Sequence, residues 1–67
     1  MIDSLPPDLT EHIAATARML RSEAWTLEKC LDWASTVSLV IEVKHGYNAD
    51  SAQRQVEPII RGVFEES

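Results

Sequence analysis

Disulfides, metal staples, glycine-rich loops and long apolar runs are all missing from this 67-residue chain, and each absence removes a class of protein. Cys30 is the only cysteine and has no second thiol to pair with. No cysteines or histidines stand at zinc-site spacing, so neither a disulfide framework nor a zinc fold is available. A lone thiol points to a reducing, cytoplasmic setting. Only two glycines are present, and no glycine-rich turn could form a backbone oxyanion hole. The longest apolar-rich stretch, Val37 to Val43, is broken by Ser38 and Glu42 and is far shorter than a membrane span. The opening Met1-Ile2-Asp3-Ser4 has no basic region followed by an apolar run, so no secretory leader is expected. Positive charge is scarce too. Six basic residues against eleven acidic ones give a formal charge of −5, which disfavours phosphate backbones and anionic lipid as partners.

What remains is a chain with 45% hydrophobic residues, outside the composition of disordered segments. At this length about 60% of the unfolded surface is buried on folding. A core that thin needs very good helix packing or a second copy.

The sequence predicts an all-α single domain spanning 1–67, built of three helices. Residues 1–7 form a lead-in closed by Pro6-Pro7, which suits a helix entrance and not a helix interior. Helix one is expected over 8–25, capped by Asp8 with Glu11 and carrying Leu9, Ile13, Ala17, Leu20 and Ala24 on one face. Helix two is expected over 26–45, capped by Thr26, with Leu27, Cys30, Leu31 and Ala34 facing inward and Gly46 ending it. Residues 36–44 are ambiguous. Val37, Leu39, Ile41 and Val43 alternate as a strand would, and β-branched side chains favour that state. A lone strand has no good partner here, so helix is preferred. Helix three is expected over 50–66, opened by Asp50 with Gln53 and lined by Ala52, Val56, Ile60, Val63 and Phe64; Pro58 should kink or split it. The Glu65-Glu66-Ser67 tail reads as a frayed, solvated end.

Chemistry has few places to reside. Cys30 with His12 and His45 is the one combination that could supply a nucleophile and a base, but Cys30 sits on the apolar stripe of helix two, where an unpaired cysteine behaves as a small hydrophobe. Asn48, Asp50 and His45 lie in too short a segment for a calcium loop. Three helices suit a helix-turn-helix, yet Lys29, Lys44, Arg54 and Arg61 are dispersed. The carboxylates are equally scattered, against mimicry of DNA. No catalytic residue, cofactor site or metal site is therefore expected.

The aromatic residues are more informative. Trp33, Val37 and Val40 form a second apolar face on helix two, taken to be the central helix, and a chain this small cannot cover both faces. That face is the expected interface of a homodimer, unless the other helices enclose it. Trp25 and Tyr47, at the two junctions flanking helix two, are the expected contacts for a different protein, since Trp and Tyr concentrate binding energy; for Trp25, plugging the end of the core is an equal alternative. By exclusion, the chain reads as a protein-binding regulator and not an enzyme. An inhibitor, an antitoxin-like neutraliser or an adaptor would fit, acting by occupying a surface of a larger protein. A dimeric nucleic-acid-binding regulator and a structural subunit of an assembly are the alternatives.

Overall fold

A computed structural model describes residues 4–66. It contains three helices, α1 (Pro7–Ser22), α2 (Leu27–His45) and α3 (Ala49–Glu65), with no strand among the described residues. Of the lead-in, residues 1–3 lie outside the described residues, as does Ser67.

The helix ends show which local signals decide. Pro6 occupies the N-cap of α1 with Pro7 as the first helical residue, and no side chain caps it. The expected Asp8–Glu11 capping box is therefore not the start. Proline at the first position needs no N–H partner and already holds helical φ, so the entrance forms without a cap. Helix α1 stops at Ser22, three residues short of the expected bound. Ala24 adopts φ 70°, the Ala24 N–H donates to the Arg21 carbonyl and the Trp25 N–H to the Leu20 carbonyl, both at 3.1 Å. This is a Schellman closure made with alanine where glycine is usual, at a strain of about 1 kcal/mol.

Thr26 caps α2 as expected, its hydroxyl accepting from the Lys29 N–H at 3.1 Å. Gly46, at φ 75°, terminates the helix in the left-handed conformation that glycine adopts without strain. Residues 36–44 are helical throughout. The start of α3 is capped by Asn48, whose side-chain oxygen accepts from Asp50 and Ser51 N–H groups at 2.9 and 3.2 Å. Asp50 thus lies inside the first turn, where its charge suits the helix dipole, rather than acting as the cap. Pro58 stands within α3, which runs as one helix and is not split into two.

The centre of the fold is α3, not α2. Both α1 and α2 pack along α3, while α1 and α2 scarcely touch one another. Ala52, Val56, Ile60 and Val63 of α3 meet Ile13 and Ala17 of α1 and Cys30, Ala34 and Ile41 of α2 in one buried cluster. Ala17, Ala34 and Ala52 are wholly buried, one per helix, so small side chains let the three backbones close in. Ser38 continues the inward stripe of α2; its hydroxyl donates to the Ala34 carbonyl at 2.8 Å, so no buried polar atom is left unpaired there.

Two polar ties hold the ends. The Leu5 N–H donates to Gln55 Oε1 at 2.7 Å and Leu5 is buried, which pins the lead-in to α3. Glu66 is not a frayed end: its carboxylate takes a two-pronged contact from Arg18, at 3.1 and 2.9 Å, with Arg21 at 3.6 Å. Arg21 also donates to the Val63 carbonyl. The hydrogen bond from Arg18 holds the Glu66 carboxyl below its ordinary range, so this tie is present at neutral pH and is lost as acid protonates Glu66.

Candidate functional site

Where α1 and α2, which scarcely touch, both rest on α3, an apolar groove of about 330 Å³ lies between them. Leu9, His12, Ile13 and Thr16 form the α1 wall, and Trp33, Val37 and Val40 the α2 wall. The sequence-derived dimer residues Trp33, Val37 and Val40 are thus brought together on one side of α2. Trp33 and Val37 are half-buried, and Val40 is 47% exposed. They do not stand alone. Leu39 and Val43, 57% and 83% exposed, flank a shallower hollow shared with Thr36, Val40 and the Lys44 stem, so the C-terminal half of α2 forms an apolar ridge beside the groove. Met19, 54% exposed, follows His12 and Thr16 at helical spacing along the α1 edge.

Electrostatically this face differs from the rest of the molecule. Of eleven acidic residues, Asp3 lies outside the described residues, and none of the other ten lines the groove or the ridge hollow. The polar groups there are His12, His45, Thr16, Thr36 and Lys44.

Sequence reasoning missed the groove because it arises from the separation of two helices, which no single-helix periodicity encodes. The one available signal was Leu9, His12, Ile13 and Thr16 at three- and four-residue steps, a stripe broader than contact with one neighbour requires.

Trp25 and Tyr47 are not brought together. They flank opposite ends of the 19-residue α2, and both are half-buried against the core. The Lys29 ammonium sits over the Trp25 ring, 5.1 Å from its centroid, a contact worth roughly 0.5–1 kcal/mol at an exposed site. Each ring has a packed side as well as an open one. Replacing either with alanine is expected to lower the melting temperature, through a loss on the order of 1–3 kcal/mol for partial burial. Thermal denaturation followed by circular dichroism checks this, and an unchanged midpoint would show that the ring packs on nothing essential.

Cys30 is fully buried, and desolvation pushes its thiol above the ordinary value, the reverse of what activates a nucleophile. His12 and His45 are exposed and line the groove, which Cys30 does not. Among the described residues no three His, Cys, Asp or Glu side chains gather in a group able to hold a metal ion, and no helix is long and apolar enough to cross a membrane. Arg54 and Arg61 are exposed on α3, the central helix, whereas Lys29 and Lys44 belong to the two ends of α2; no basic stripe forms among the described residues. Compared with known protein families, curated proteins and solved structures, the chain matches none.

Proposed function

We propose that this chain is a small protein-binding regulator, an inhibitor, antitoxin-like neutraliser or adaptor, that acts by occupying a surface of a larger protein. It works without catalysis or cofactor and operates in the cytoplasm. One observation carries the proposal: an acidic protein keeps an exposed apolar face lined by no carboxylate, which has a cost in water unless another protein surface, here first that of a second copy, covers it. In this proposal the chain is a homodimer packed through the α2 face of Trp33, Val37 and Val40, and α3 bends at Pro58. The open edges of Trp25 and Tyr47, at either end of α2, supply aromatic anchors for the larger partner.

The test uses the immobilised chain as bait in an extract of its native host, beside a bait carrying both Trp25→Ala and Tyr47→Ala and shown by circular dichroism to be folded. A protein retained by the first and released by the second is the expected result. If the same proteins bind both baits, or neither bait retains any, the placement of the partner surface is wrong.

A further inference from the structure

We infer that the groove between α1 and α2 is the seat for the Leu39, Val40 and Val43 ridge of a second copy of this chain, so that α1 forms half of the self-association surface. The inference rests on the proposed homodimer and deepens it, because a dimer packed on α2 alone would leave α1 outside the interface.

Three observations point to a second copy rather than another occupant. First, groove and ridge lie side by side and share Thr36 and Val40, which line both hollows. A two-fold rotation about an axis near Val40 exchanges them, so each copy can give its ridge and receive its partner's. An isologous contact requires this self-complementarity. Second, charge selects the face. Each chain carries −5, and no carboxylate lines either hollow, so two copies meet here with less repulsion than where their acidic surfaces oppose; the polar groups present are hydroxyls, two imidazoles and Lys44. Third, α1 and α2 lack the mutual packing that each has with α3. A ridge from a second copy supplies apolar contact to both where they part. The result places α1 and α2 of each copy in a four-helix layer between two outer α3 helices.

The experiment is complementation between two exposed substitutions, chosen because His12 is exposed and Val43 is 83% exposed, so neither side chain is needed for folding. His12→Glu puts a carboxylate on the α1 wall of the groove, and Val43→Lys puts an ammonium on the ridge. Light scattering coupled to size exclusion gives the mass, and sedimentation equilibrium the dissociation constant. Wild type is expected at about twice 7.5 kDa in the micromolar range. Each variant alone should dimerise at least about tenfold more weakly, since both of its ridge contacts carry the lesion; tenfold corresponds to 1.4 kcal/mol. Mixed in equal amounts, the two variants should recover a dimer. One contact then joins an intact groove to an intact ridge, and the other sets the introduced carboxylate against the introduced ammonium as opposite charges.

A monomeric wild type overturns the homodimer and this inference together. A wild-type dimer weakened by Val43→Lys but indifferent to His12→Glu overturns the groove while leaving an α2-only dimer standing. Failure of the mixture to recover, with both variants folded by circular dichroism, also overturns the reciprocal seating.

Discussion

Replacing Ile60 with alanine is expected to leave the protein largely unfolded at room temperature, or to lower its melting temperature by more than about 10 °C. Ile60 is wholly buried on α3, the helix against which both others pack, so the cavity opens where the three elements meet. Truncating a buried isoleucine to alanine costs about 2–5 kcal/mol, the lost transfer energy plus the void left behind. A chain of this length has on the order of 3–10 kcal/mol in total, at roughly 0.05–0.15 kcal/mol per residue. Each kcal/mol moves the midpoint of a domain this small by roughly 4–8 °C. Ile59 is the internal comparison. It is next in sequence and only half-buried, so Ile59→Ala should cost less than half as much. Denaturant unfolding of the two variants side by side decides the matter, and equal losses would contradict the deeper burial of Ile60. Since the proposed self-association would stabilise the folded chain, both must be compared at one protein concentration.

The misassignment of the central helix shows what periodicity can and cannot tell. Each helix was visible from its own stripe: Ile13 and Ala17, Cys30 and Ala34, then Ala52, Val56, Ile60 and Val63. Residues 36–44 could be read as helix despite their β-branched side chains, because a strand there had nothing to pair with. Which helix lies between the others is a property of interhelical geometry. Helix α2 seemed central because its apolar residues point in several directions, yet Leu39, Val40 and Val43 point outward, to the ridge. The α3 stripe is narrower but wholly buried, and small residues at Ala17, Ala34 and Ala52 are what let the other two helices reach it. Caps were legible where a side chain made them, as at Thr26. They were misplaced where backbone conformation made the boundary, at Pro6-Pro7 and at Ala24, or where Asn48 could cap two residues before Asp50. The long-range ties from Gln55 to Leu5 and from Glu66 to Arg18 join residues 50 and 48 positions apart and left no local trace.

Of the candidate site, Trp33, Val37 and Val40 were legible as a surplus face, because amphipathicity is a property of one helix. The other wall was not, because Leu9, His12 and Thr16 become a wall only when α2 stands a groove's width away. Leu39 and Val43 were read as part of an ambiguous apolar run. Their exposure follows from where α3 sits, since a helix packed on one neighbour has most of its circumference in water.

Replacing Pro58 with alanine is expected to stabilise the protein, by about 2 kcal/mol and hence about 10 °C in melting temperature. Pro58 is exposed within α3, has no N–H to give the Arg54 carbonyl, and crowds that carbonyl with its ring. Inside a helix, proline is about 3 kcal/mol less favourable than alanine. Against this, alanine frees the unfolded chain, which returns about 0.4–1 kcal/mol to the unfolded state. The helix term is the larger, so the sign is a gain. A residue that violates a local rule with no packing return is where a functional constraint is expected, and the proposed bend of α3 supplies one. If the bend sets the angle at which α1 and α2 diverge, Pro58→Ala should tighten the monomer while weakening self-association through the groove. Calorimetry gives the first effect and sedimentation equilibrium the second. A fall in melting temperature would show that the packing of Ile59 and Ile60 beside it requires the bend. A gain in stability with unchanged self-association would show that α3 holds the same line without its proline, and that the groove owes its width to α1 and α2 alone.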